Sequence, residues 1–324
     1  MQDSTIAAPP VIDIGLLRDA ASSRDPARAA AVVAAMRRAC TGTGFFYITE
    51  HGVDAQAVAH IFAESKRFFV QPASLKDSIA MTANRGYEGI GRQALNEATG
   101  ADVKESVMVG DDAITSDHPA VRAGLPMHAA NQWPAGLPGW RQSVLDYFAT
   151  MDRLTKLLLS GLALSLELPW SFFEGQFDPS MSSLRLLRYP PHPTADPARE
   201  VGCGAHTDWG LITVLAQDDI GGLEIQLPSG EWIGAKPIPG AFIVNIGDMM
   251  ARWSNDLYTS TPHRVLNRSL RDRYSIAFFC DPAYHTRVEC LPSCTGPDRP
   301  PRYAPTTSGE HLAEMYRRTY GAAA

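Results

Sequence analysis

Apolar residues follow two rhythms along this chain, and the change comes near residue 181. Before it, the patterned stretches have a helical period. "DPARAAAVVAAMRRAC" is rich in alanine and carries Pro26 near its first turn, where a missing N–H costs nothing, so it predicts a helix. "DAQAVAHIFAESKRFF" sets Val58, Ile61, Phe62 and Phe69 on one helical stripe and is closed by Pro72. "SVLDYFATMDRLTKLLLSGLALSLEL" predicts a long helix stopped by Pro169, with an apolar face wide enough to pack on a sheet. Two β-type runs, "VIDIG" and "FFYIT", lie in the same region. "RGYEGIGRQ" reads as a glycine-punctuated strand or loop, and residues 112–141 read as irregular, with four prolines.

Beyond residue 181 the pattern is that of short strands. "SSLRLLRYP", "LITVLAQ", "GLEIQL", "EWIGAKPI", "AFIVNIG", "HRVLNRS" and "RYSIAFFC" are separated by glycine, proline and aspartate turns, and "LPSGEW" is a hairpin signal. Strands at this spacing predict a jelly-roll barrel. "TTSGEHLAEMYRRTY" predicts a C-terminal helix, with Thr307 and Glu310 as a capping box and Leu312, Met315 and Tyr316 on its apolar side. The expected fold class is mixed α and β: a double-stranded β-helix (jelly-roll) core flanked by helices, with a helix-rich N-terminal region. Residues 1–140 are expected to form that N-terminal region. Residues 141–324 are expected to form the core with its long supporting helix and C-terminal helix, the two parts making one structural unit.

Composition narrows the classes. A chain of 324 residues can bury a sizeable core, and its net charge of −6 with scattered basic residues argues against a nucleic-acid or anionic-membrane partner. No secretory pattern and no uninterrupted membrane span is visible, so a cytoplasmic location is expected. The five cysteines are irregularly spaced and read as reduced thiols. Cys290 and Cys294 are the one close pair, and no second pair completes a zinc site.

The chemistry begins at "GCGAHTDWGLITVLAQDD", residues 202–219. His206 and Asp208 stand two apart at a strand end, so both side chains can share one face. Such a pair is common by chance. A second histidine, His263 in "TPHRVLNRS", lies within the same strand-rich region. Two imidazoles and one carboxylate on one face are the donor set of non-haem iron(II) oxygenases, with positions left open for a 2-oxo acid and dioxygen. The far carboxylate of a 2-oxo acid needs a fixed cation. "RYSIAFF" offers Arg273 with Ser275 on the same strand face, and Tyr189 in "LLRYPP" offers a further hydroxyl.

Taken together, "HTD", "TPHRV", "RYS", "RYPP", "VNIGD" and the early "GFFYITEHGV" resemble the isopenicillin N synthase-like branch of the iron(II)/2-oxoglutarate-dependent oxygenases, over about residues 10 to 320. The resemblance implies iron ligands at His206, Asp208 and His263. It implies 2-oxoglutarate contacts at Arg273, Ser275 and Tyr189. It also implies Fe(II), 2-oxoglutarate and O2 as the reacting set, with ascorbate as a supporting reductant, and a small-molecule substrate whose oxidation, by hydroxylation first of all, accompanies release of succinate and CO2. Same-scaffold alternatives are an oxidase or cyclase, a desaturase and an ethylene-forming enzyme. A metal-holding sensor without turnover is a different class.

Residues around this set are candidate substrate contacts. Arg185 shares a strand face with Tyr189, with a structural ion pair as its other reading. Trp209 and Phe279 could wall the pocket or simply pack. Tyr87, Arg92 and Glu105 lie in the stretch that borders the substrate entrance in similar enzymes. Asn245 and Asp248 of "VNIGD" read as strand-end and turn residues rather than ligands. Substrate identity and oligomeric state stay open.

Overall fold

The strand rhythm produces two facing sheets, and side-chain parity decides what each strand shows to which side. In this computed structural model, residues 8–192 and 201–320 are described; the terminal residues and 193–200 lie outside them. The strands are β1 (Val11–Asp13), β2 (Phe45–Thr49), β3 (Gly86–Glu88), β4 (Glu105–Gly110), β5 (Ser183–Tyr189), β6 (Cys203–His206) and β7 (Ile212–Gln217). They continue as β8 (Leu223–Gln226), β9 (Trp232–Gly234), β10 (Phe242–Ile246), β11 (His263–Val265), β12 (Arg273–Cys280), β13 (Arg287–Val288) and β14 (Thr306–Thr307). The helices are α1 (Gly15–Ser23), α2 (Ala30–Thr41), α3 (Ala55–Phe69), α4 (Ala73–Asp77), α5 (Pro119–Arg122), α6 (Trp140–Ser165), α7 (Asp248–Trp253) and α8 (Ser308–Tyr320).

A large sheet runs β1-β2-β10-β7-β12-β5-β4-β3 and a small one β6-β11-β8-β9, antiparallel except for β1 with β2. This is a jelly-roll core, and the region before residue 141 contributes four strands to its large sheet. Even-numbered residues of the central strands, such as Leu186, Val214, Val244, Ile276 and Phe278, form one core with α1, α2, α3 and α6. Odd-numbered residues, such as Tyr47, Leu187, Tyr189, Ile243 and Ala277, form a second core against Cys203, Leu223, Ile225 and Val265 of the small sheet. Each fully buried aliphatic or aromatic chain stabilises the fold by about 1.5–3 kcal/mol, so the outer core anchors the sheet whose other face carries chemistry.

The expected helices form, with shifted ends. The long helix starts three residues early, at Trp140, whose fully buried indole N–H donates to the Glu64 carbonyl at 3.1 Å. It ends at Ser165, ahead of Pro169, because Glu167 turns left-handed at φ 61° and the residue before a proline disfavours helix. The Thr307–Glu310 capping box is present: Glu310 N–H donates to Thr307 Oγ1 at 3.2 Å and Thr307 N–H donates to Glu310 Oε2 at 3.1 Å. Strand β4 has no counterpart among the expected strands. All six of its residues are buried, so it lacks the alternation that marks a half-exposed strand. Among the described residues no helix is long and apolar enough to cross a membrane, and the five cysteines are buried and unpaired.

Candidate active site

Strands β6 and β11 pair so that His206 and His263 are direct cross-strand partners, their ring centroids 4.4 Å apart. Asp208 follows on the turn after β6, where its carbonyl accepts the Asp248 N–H at 2.8 Å. Its Oδ1 lies 3.8 Å from Nε2 of each histidine, and the three ligand atoms lie within 4.8 Å of one another. The rings are oriented from behind. Nδ1 of His206 meets the Gly204 carbonyl at 2.7 Å, and Nδ1 of His263 meets the Thr261 carbonyl at 3.2 Å. A carbonyl accepts, so Nδ1 carries the proton and each Nε2 lone pair points inward. Burial lowers both imidazole pKa values, that of His263 to about 4, so both are neutral at neutral pH and able to serve as ligands.

The other Asp208 oxygen is held too. Oδ2 accepts from Thr213 Oγ1 at 2.5 Å and from Asn245 Nδ2 at 2.7 Å, which leaves Oδ1 facing the imidazoles. Asn245 is the next-to-last residue of β10, near the strand end as the sequence suggested, and it also positions the carboxylate, which the sequence reading did not foresee. Its signal was parity: it is the one polar residue of "FIVNI", opposite Thr213 on the inward face. Two nitrogens and one oxygen, each backed by a hydrogen bond, fit a divalent iron with positions to spare.

Two cavities meet at these residues, sharing Arg185, His206, Asp208, Leu95 and Phe279. The inner one measures ≈ 80 Å³ and contains Arg273, Ser275 and Tyr189. Register brings them together, since Arg273 pairs opposite Tyr189 and Ser275 opposite Leu187. Arg273 is fully buried, its guanidinium carbon 4.8 Å from the centroid of the Tyr189 ring. It donates to Ser275 Oγ at 3.1 Å, to Gln217 Oε1 at 3.2 Å and to the Gly221 carbonyl. Lys104 also borders this cavity, 2.6 Å from Asp102 and 3.0 Å from Cys203 Sγ.

The outer cavity, ≈ 110 Å³, takes in Trp209, Phe279 and Arg185 together with four methionines. Trp209 stands edge-to-face with Tyr316 of α8 at 4.7 Å, so the C-terminal helix closes one side. Arg185 is both things that the sequence allowed. It lines the cavities, and it is ion-paired to Glu88 at 2.5 Å while donating to Ser106 at 2.9 Å. The other three candidates line neither cavity. Tyr87 and Glu105 sit on the helix-facing side, where Tyr87 donates to Glu105 at 2.6 Å and Glu105 pairs with Lys76 and Arg188. Arg92 is exposed on a turn. The correction is one of parity. The inward residues of β3 and β4 are Glu88, Ser106 and Met108, one position away from those expected.

The 2OG-Fe(II) oxygenase superfamily is matched over residues 180–282, and the N-terminal region of non-haem dioxygenases in morphine synthesis over residues 9–136. A 2-oxoglutarate-Fe(II) type oxidoreductase of Emericella nidulans is 36% identical over 324 residues, covering 98% of this chain and 91% of the relative. A homoarginine-6-hydroxylase of Oryza sativa subsp. japonica is 37% identical over 294 residues, covering 87% of this chain and 88% of the relative. Among solved structures, a full-length Neurospora crassa protein in complex with alpha-KG and thymine superposes with a TM-score of 0.85 at 29% identity, over 99% of each chain.

Proposed function

Because this chain belongs to the 2OG-Fe(II) oxygenase superfamily and is a non-haem iron dioxygenase dependent on 2-oxoglutarate, we propose that it hydroxylates a small organic molecule at the junction of its two cavities. His206, Asp208 and His263 hold the iron. The observation that carries this is the convergence of one carboxylate oxygen and two inward-facing Nε2 atoms, 3.8 Å from each nitrogen to the oxygen. Bound iron(II) with 2-oxoglutarate and dioxygen supplies the oxidising power, at the expense of 2-oxoglutarate, which leaves as succinate and CO2.

The rest is work of the chain. Arg273 grips the distal carboxylate of 2-oxoglutarate through paired, charge-assisted hydrogen bonds, with Ser275 and Tyr189 beside it. Burial of that guanidinium makes the attraction stronger than it would be in water. Trp209, Phe279 and Arg185 border the space beside the metal ligands, and they orient the substrate bond to be oxidised. Tyr316 and Leu312 of α8 close that space and restrict water.

The test is a titration of the metal-free protein with iron(II) under exclusion of oxygen, followed by succinate measurement when oxygen, 2-oxoglutarate and a substrate panel are added. One iron per chain and substrate-dependent succinate are expected. Oxygen consumption without succinate would point to an oxidase, and stoichiometric iron without oxygen consumption to a sensor; either outcome overturns the proposal.

A further inference from the structure

Four lysine or arginine side chains are buried among the described residues: Arg85, Lys104, Arg185 and Arg273. Two have acids beside them, Lys104 with Asp102 at 2.6 Å and Arg185 with Glu88 at 2.5 Å. The other two, Arg273 and Arg85, form no ion pair among the described residues. A buried cation without a counter-ion is expensive, so its place in a folded protein calls for an anion from outside. In the inner cavity that anion is the distal carboxylate of 2-oxoglutarate. The outer cavity repeats the arrangement.

Arg85 borders the outer cavity and is 3% exposed. A tight turn fixes it: Thr82 and Arg85 exchange backbone hydrogen bonds at 2.9 and 3.0 Å across Ala83 and Asn84, both with positive φ. Its guanidinium lies flat on Gly110, where any β-carbon would collide with it. It donates to the Asn84 carbonyl at 2.9 Å and to the Met127 carbonyl at 3.2 Å, and its buried Nε has no partner. These acceptors are neutral, and Asp111 and Tyr316 act on the charge only through space, without an ion pair among the described residues. Burial brings its pKa down to about 10, so it remains a cation at neutral pH. Around it the cavity is apolar on one side, with Met81, Met108, Met127 and Met181. Such side chains adapt to a flat or branched hydrocarbon body.

We propose that the substrate of this oxygenase is a small monocarboxylic acid, held by its carboxylate at Arg85 while its apolar body lies along the methionines toward His206 and Asp208. This rests on the oxygenase reading of the same site. Arg85 then sets specificity in the outer cavity as Arg273 sets it in the inner one.

The test is binding rather than turnover, so it stands apart from catalysis. The protein is loaded with iron(II) and saturating 2-oxoglutarate without oxygen, which occupies Arg273. Hexanoate and benzoate are then titrated against hexanamide and benzamide. The acids are expected to bind at least tenfold more tightly than the amides. Arg85→Gln should erase that preference, and Arg85→Lys, which keeps the charge, should retain part of it with an unchanged far-ultraviolet circular dichroism spectrum. Equal binding of acid and amide, a preference that survives Arg85→Gln, or no binding by either acid overturns the proposal. Loss of 2-oxoglutarate binding in the parent protein would instead overturn the oxygenase reading, and it is read in the same titration before any acid is added.

Discussion

The Asn245 amide donates to Oδ2 of Asp208 at 2.7 Å while Oδ1 of that carboxylate faces both imidazoles. Together with the Thr213 hydroxyl, which donates to the same oxygen at 2.5 Å, it leaves Oδ1 as the oxygen free to bind metal. Replacing Asn245 with Ala, or Thr213 with Val, leaves Oδ2 short of a donor. Partners of this kind typically contribute tenfold to hundredfold to metal affinity. We expect iron(II) or manganese(II) affinity to fall by about that factor in each variant, read by anaerobic titration, with the melting temperature of the metal-free protein little changed. Unaltered affinity would mean that the carboxylate keeps its pose without them.

Arg273 invites a separable test. Truncating one partner of a buried charged hydrogen-bonded pair costs about 2–5 kcal/mol, roughly thirtyfold to several thousandfold in affinity. Arg273→Ala should weaken 2-oxoglutarate binding within that range and leave metal affinity alone. Arg273→Lys should recover part, since it keeps the charge but not the paired geometry. Binding of 2-oxoglutarate undiminished in Arg273→Ala would remove the anchor.

The Lys104–Asp102 pair is almost wholly enclosed, with side chains 3% and 0% exposed. Asp102 also accepts the Gly204 N–H at 2.9 Å, two residues before His206. Lys104→Met leaves a buried carboxylate without its cation, a change that costs about 3–5 kcal/mol. Urea denaturation of the metal-free protein should register that loss, and a stability equal to the parent's would contradict it.

Asp281 gives the protein a pH dependence of definite sign. Burial, helped by the charge of Asp208, pushes its carboxyl up to about 7. The folded state thus keeps a proton that the unfolded chain releases near its ordinary value of about 3.9. The contribution is complete below pH ~4 and is lost as pH rises to about 7, up to roughly 4 kcal/mol. Asp281→Asn should flatten this slope in the metal-free protein, so the variant gains on the parent steadily from pH 4 to 7. Parallel stability–pH curves for the two proteins would refute the assignment.

Much of this was legible in the chain. Period gave the helices, and turn residues gave the strands of the barrel. The expected ligand set rested on His206 and Asp208 standing two apart at a strand end with His263 later in the strand-rich region, and the expected cosubstrate contacts on Arg273 and Ser275 sharing a strand face and on the family resemblance. What escaped was parity at a distance. Tyr87 and Glu105 were expected near the entrance, yet the register of β3, β4 and β5 sends them to the helix side and turns Glu88 and Ser106 inward. Nothing local distinguishes those alternatives, because β4 is buried on both faces and shows no alternation. Asn245 and Arg85 escaped for a related reason: their importance lies in what they face or fail to face, and that exists only after folding.

Strand β11 is three residues long and is clasped on both sides, with His263 opposite His206 on one flank and Ile225 on the other. Sliding it by a single position would swing the imidazole out to the far surface and put a neighbour in its place. A one-residue insertion or deletion there could leave both sheets standing and the reaction gone. Evolution can reshape the outer chamber loop by loop, but at this strand the spacing of the backbone is itself part of the catalyst.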